Sequence, residues 1–74
     1  MSERLGKIAA EVFGLRAEEI ELAMTPEDIE KWDSLNHLRL ITAVESEFNI
    51  RLNMSQIQGI GCLGDLQSYV DRRS

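Results

Sequence analysis

With 74 residues and a single cysteine, the chain has room for one small domain near the lower limit for a self-sufficient core, and it can form no internal disulfide. Its composition, 43% hydrophobic and 28% charged, is that of a soluble globular protein, and a net charge of −5 speaks against direct nucleic-acid binding, which calls for a basic surface. No apolar run reaches membrane-spanning length and the charged N-terminus carries no signal-peptide core, so a cytoplasmic monomer without membrane contact is expected.

Taken in order, Leu5, Ile8, Ala9, Val12 and Phe13 keep helical spacing and predict a first amphipathic helix over about Glu3–Phe13. Ser2 is placed to cap it and Gly14 to stop it. Residues 15–33 form a connection longer than most loops in compact domains, with Ile20, Leu22, Met24 and Ile29 as apolar anchors. Within it, Thr25-Pro26-Glu27-Asp28 reads as cap, N1 proline and acidic first turn, which predicts a short helical turn. The acids Glu18, Glu19, Glu21, Glu27, Asp28, Glu30 and Asp33 crowd this loop, with Lys31 the only base among them. Such a cluster is ordinarily a solvated surface; the sharper reading is a docking surface for basic partners.

The second helix is predicted over about Ser34–Phe48, with Leu38, Ile41, Val44 and Phe48 on its apolar face and Asn49 ending it. Ile50 and Leu52 read as a buried linker, and residues 54–60 as a short third helix weakened by Gly59. Leu63, Leu66, Tyr69 and Val70 mark a last helix, with Arg72 and Arg73 suited to its negative end. The expected fold is therefore all-α: one domain over residues 1–74, a small bundle of three principal helices and one short helix, with a long loop between the first two helices.

Ser34, just ahead of the second helix's apolar pattern, is either a helix cap or a hydroxyl presented to something outside. Asp33-Ser34-Leu35, followed by a helix ending in Val44-Glu45-Ser46-Glu47-Phe48-Asn49-Ile50, resembles the acyl carrier proteins, and the likeness spans nearly the whole chain, including the closing Ile60-Gly61-Cys62-Leu63-Gly64-Asp65-Leu66. The resemblance implies the same helical bundle and a 4′-phosphopantetheine arm, taken from coenzyme A and joined to Ser34 through a phosphodiester, with Asp33 as the flanking motif residue. It implies a carrier of acyl or aminoacyl groups as thioesters rather than an enzyme. Its partners would be a phosphopantetheinyl transferase, which supplies base and metal, and acyl-activating and acyl-transferring enzymes. Leu35, Asn36, Arg39 and Thr42 are then the residues expected to meet those partners.

The chain departs from the fatty-acid carriers it resembles. Asn36 follows Asp-Ser-Leu where an acid is usual, Arg39 stands where an acid is common, and Ser46 interrupts the later acidic run. A specialised biosynthetic pathway, polyketide-like or otherwise secondary, is expected. A peptidyl or aryl carrier of a nonribosomal pathway is the first alternative, set back because Lys31-Trp32 replaces the Gly-Gly usual before that serine. The second is an arm-less helical interaction domain. An enzyme built on the one histidine, His37, and the one cysteine, Cys62, lacks a third orienting group, and these two residues make a poor metal site, so neither catalytic nor metal-binding residues are assigned. Trp32 is expected to pack the loop onto the bundle and Cys62 to sit part-buried at the start of the last helix.

Overall fold

Hydrophobic spacing and end-capping explain where each helix starts and stops. The computed structural model describes residues 2–72. Helix α1 (Glu3–Phe13) begins where the Ser2 hydroxyl accepts the N–H of Leu5 at 3.2 Å. It ends at Gly14, whose φ of 68° lies in the left-handed region, with the N–H of Leu15 donating back to the Ala10 carbonyl. Helix α2 (Ser34–Phe48) ends the same way: Asn49 has φ 54°, and the N–H of Ile50 donates to the Glu45 carbonyl. Helix α3 (Met54–Gln58) is a five-residue piece opened by a reciprocal cap between Asn53 and Gln56, and α4 (Leu63–Arg72) closes the described chain. These four helices and no strand occur among the described residues, so the all-α expectation holds.

The core lies where one face of each long helix meets the others. Leu5, Ala9 and Phe13 of α1 face Leu40, Ile41, Val44 and Phe48 of α2, and Leu63, Leu66 and Val70 of α4 fill the remaining side. Arg4 ties α1 to the end of α2 through an ion pair with Glu47, and the backbone N–H of Ser2 reaches Gln67 Oε1 of α4 at 2.8 Å. No helix among the described residues is long and apolar enough to cross a membrane.

Leu38 departs from the expected stripe. It is 51% exposed, and Leu40 takes its place at 0%. At 3.6 residues per turn, Leu40, Ile41, Val44 and Phe48 share an arc of roughly 100°, and Leu38 lies about 60° beyond its edge. Leu38, Leu40 and Ile41 are all apolar, so spacing alone admits either stripe, and packing against α1 selects the one through Leu40.

The long loop is anchored as predicted by buried Ile20 and Ile29 and half-buried Met24, while Leu22 is exposed. Leu22 contributes its carbonyl instead: the N–H groups of Gly64 and Leu63, which no α4 carbonyl can satisfy, donate to Leu22 and Met24 at 2.8 and 3.1 Å. Thr25 and Asp28 form the expected single turn, with the Thr25 hydroxyl accepting from Glu27 N–H and Asp28 Oδ2 accepting from Thr25 N–H. A 3₁₀ turn at Ala17–Glu19, which the hydrophobic pattern does not signal, precedes it. Arg72 sits over the Tyr69 ring in the last turn of α4; Arg73 lies outside the described residues.

Candidate functional site

The entry to α2 separates capping from presentation. Asp33 is the cap: its Oδ1 accepts the N–H of Asn36 at 2.8 Å, and its backbone is extended. Ser34 follows as the first helical residue, exposed, and its hydroxyl has no hydrogen bond to protein among the described residues. Ser34 thus holds its hydroxyl outward while another residue satisfies the helix end. The positive end of a 15-residue helix dipole also lies beneath it, where an attached anion is favoured.

Asn36 is half-buried and braces the loop, its Nδ2 donating to the Lys31 carbonyl at 2.7 Å. Leu35 is 59% exposed, and Leu35, Arg39, Thr42 and Ser46 recur at three- and four-residue steps along the side of α2 opposite the core, all exposed. Neither nearby carboxylate of α2 turns to Arg39. Glu45 Oε2 accepts the N–H of Leu52 at 2.9 Å, and Glu47 pairs with Arg4. The expected recognition residues therefore divide: Leu35, Arg39 and Thr42 share one strip, and Asn36 is engaged with the loop.

On the other flank of Ser34 opens a groove of about 670 Å³ between α2, α3 and the loop. Trp32, His37 and Leu38 line one side of it, and Met54, Ile57 and Ile60 the other. Leu38, displaced from the core, thus becomes a wall of this groove one helical turn from Ser34. Trp32 is 5% exposed, packs on Phe13 at 5.2 Å between ring centroids, and donates its indole N–H to His37 Nδ1 at 2.9 Å. His37 Nε2 lies 2.9 Å from the Ile57 carbonyl. The expected loop-packing role of Trp32 is thereby observed, and its bond to His37 is new. Residues 32, 37 and 57 fall on no helical or strand period, so their meeting leaves no trace in the sequence pattern.

In the acidic loop, Arg16 lies 3.2 Å from Glu18 and 3.6 Å from Glu19, and Asp28 is engaged by Thr25. Glu21, Glu27 and Glu30 remain exposed with no ion pair among the described residues. No group of three or more potential metal ligands occurs among the described residues. Cys62 is half-buried just before α4.

Comparison with known proteins decides what this arrangement belongs to. Residues 3–70 match the family model described as the phosphopantetheine attachment site. The chain belongs to the acyl carrier protein family. It is 40% identical over 63 residues to an acyl carrier protein of Saccharopolyspora erythraea, covering 84% of this chain and 65% of that protein's length. With an acyl carrier protein of Zymomonas mobilis it shares 32% identity over 71 residues, covering 95% of this chain and 90% of the relative. Its fold superposes on the solution NMR structure of a holo acyl carrier protein from Geobacter metallireducens with a TM-score of 0.85 at 30% identity, covering 96% of this chain and 82% of that one. The prosthetic group of this carrier family is 4′-phosphopantetheine, and the outward, unengaged hydroxyl of Ser34 over the positive end of α2 fits its attachment.

Proposed function

We propose that the chain is an acyl carrier whose Ser34 receives the arm, and that it catalyses nothing itself. One observation carries this reading: Asp33 caps α2, so the Ser34 hydroxyl is left exposed and unbonded. In the loading step that hydroxyl displaces adenosine 3′,5′-bisphosphate from coenzyme A, and its proton leaves to a base on the transferase, since no base of the chain is hydrogen-bonded to it. When attached, the arm supplies a thiol that holds acyl groups as thioesters. Asp33 holds the start of α2 through the cap, and its carboxylate would help hold a metal in the transferase complex. The apolar groove beside Ser34 gives cargo a place out of water.

The Leu35–Arg39–Thr42 strip supports a specialised pathway. It presents an apolar residue, a positive charge and a hydroxyl where the resemblance leads one to expect acids. The arm-less and enzymatic alternatives have less behind them. His37, the one histidine, has both ring nitrogens hydrogen-bonded and none left to act as a base. Incubation with coenzyme A, magnesium and a broad-specificity transferase should add the mass of one arm to the wild type and nothing to Ser34→Ala. A wild type left unmodified while a control carrier is converted would refute the carrier reading, and so would an arm found on Ser2, Ser46, Ser55, Ser68 or Ser74.

A further inference from the structure

We propose that His37 is a positioning residue, a clasp that holds α3 against α2 and closes the inner end of the groove, and so limits the length of cargo this carrier shelters. The proposal rests on the carrier reading above. An indole N–H can only donate, so the bond from Trp32 makes His37 Nδ1 an acceptor and places the ring proton on Nε2. That Nε2–H then donates at 2.9 Å to the Ile57 carbonyl near the end of α3, which otherwise takes only turn bonds from the backbone just beyond it, the one from Ile60 N–H being long at 3.4 Å. The ring is therefore held from two sides, by the loop and by α3.

The clasp matters because α3 is short and is otherwise held by half-buried Ile57 and by Ile60 just beyond it. It contains five residues, none of them buried. Side chains of α2 reach the backbone near both its ends: Glu45 takes the N–H of Leu52 just before it, and His37 binds Ile57 within it. His37 is also the outermost of three rings leading out from the core, with Phe13 behind Trp32 and the His37 ring edge to edge with the indole, 6.0 Å between centroids and 20° between planes. With both nitrogens committed, the ring shields the indole N–H and the Ile57 carbonyl and keeps the groove wall apolar. Without it the groove, which Trp32 already lines, would extend along the indole edge, where the indole N–H and the Ile57 carbonyl would have lost their ring partner.

The test compares wild type, His37→Ala and His37→Gln, each carrying on Ser34 a series of unbranched acyl groups of increasing length joined by an amide in place of the thioester. NMR follows the α3 amides and the indole N–H of the single tryptophan. In the wild type the α3 amides should respond to added length up to a limit and no further. In His37→Ala that limit should move to longer chains, each further methylene favouring the sheltered form about fourfold, and the indole N–H should exchange up to about tenfold faster. His37→Gln should restore both, because its amide oxygen can accept from the indole while its nitrogen donates to Ile57. The same length limit in wild type and His37→Ala would overturn the proposal, as would a folded His37→Gln that behaves like His37→Ala. Should the alanine variant not fold, His37→Phe replaces it, filling the space with neither bond, and indole exchange equal to that of His37→Gln would be fatal. Failure of Ser34 to gain the arm would count against the carrier reading instead, and indole exchange in the unmodified variants would then decide whether the clasp exists.

Discussion

The N–H of Gly64 donates to the carbonyl of Leu22 at 2.8 Å, so the loop that carries the acidic residues supplies the first turn of α4 with an acceptor. The two backbones can come this close because residue 64 has no side chain. A Cβ there would sit 3.3 Å from the Leu22 oxygen and 3.6 Å from Cys62 Sγ. Gly64→Val should destabilise the fold by about 1–3 kcal/mol through overpacking. Gly64→Ala should cost less, since alanine recovers about 1 kcal/mol of helix propensity. Urea denaturation of the three proteins reads this directly, and a valine variant as stable as wild type would mean that the loop is not held at this point.

Asp33 combines a structural role with a proposed chemical one, and two substitutions separate them. Asp33→Ala removes the acceptor for Asn36 N–H and should cost about 1 kcal/mol, whereas Asp33→Asn caps as well and should keep stability. Both should slow transfer of the arm to Ser34 if the carboxylate helps hold the metal. An asparagine variant loaded at the wild-type rate would leave Asp33 as a cap alone.

Phe48 ends the buried stripe of α2 at 5% exposure, with the Arg4 guanidinium over its ring. Phe48→Ala should cost about 3–5 kcal/mol, most of the stability a domain of this size has. Cys62 is half-buried and unpaired with sulfur, so Cys62→Ser should keep both the fold and the ability to be loaded. Circular dichroism with thermal melting checks the first, and mass measurement after loading checks the second. Loss of loading in a folded Cys62→Ser would reopen the enzymatic alternative.

Arg39 should set partner choice. It stands on the strip with Leu35 and Thr42, and the carboxylates of Glu45 and Glu47 are occupied elsewhere, so its charge faces outward without local compensation from them. Against the basic patches expected on fatty-acid synthase enzymes this charge repels, and like charges in contact cost several kcal/mol. Arg39→Glu should therefore raise the elongation rate with a fatty-acid ketosynthase by about tenfold or more at low salt, and less as salt screens the charges. With the chain's own partner the sign should reverse. Equal rates for both proteins with both kinds of partner would show that the strip is not tuned.

Sequence alone determined the features that depend on neighbours along the chain. The ends of α1 and α2 are local hydrogen-bonding events, and Ser2, Gly14, Asp33 and Asn49 are residue types that satisfy them. The apolar repeat of Leu5, Ile8, Ala9, Val12 and Phe13 names one face because Glu3, Arg4, Lys7 and Glu11 gather on the opposite one. Asp33-Ser34-Leu35 located the candidate attachment point for the same reason: its meaning lies in three consecutive residues and the helix that follows.

Only the tertiary structure decided which of Leu38 and Leu40 enters the core, because three apolar residues within four positions fit two helical stripes and contact with α1 chooses between them. The same choice turns Leu38 into a groove wall beside Ser34. It also decided that Leu22 anchors through its carbonyl, since every residue carries that group and no side-chain pattern can mark it. The meeting of Trp32, His37 and Ile57 is of this kind too. Their bonds join a loop, the first turn of α2 and a helix 20 residues farther on, and such long-range pairings come into being only when the packed core brings the segments together.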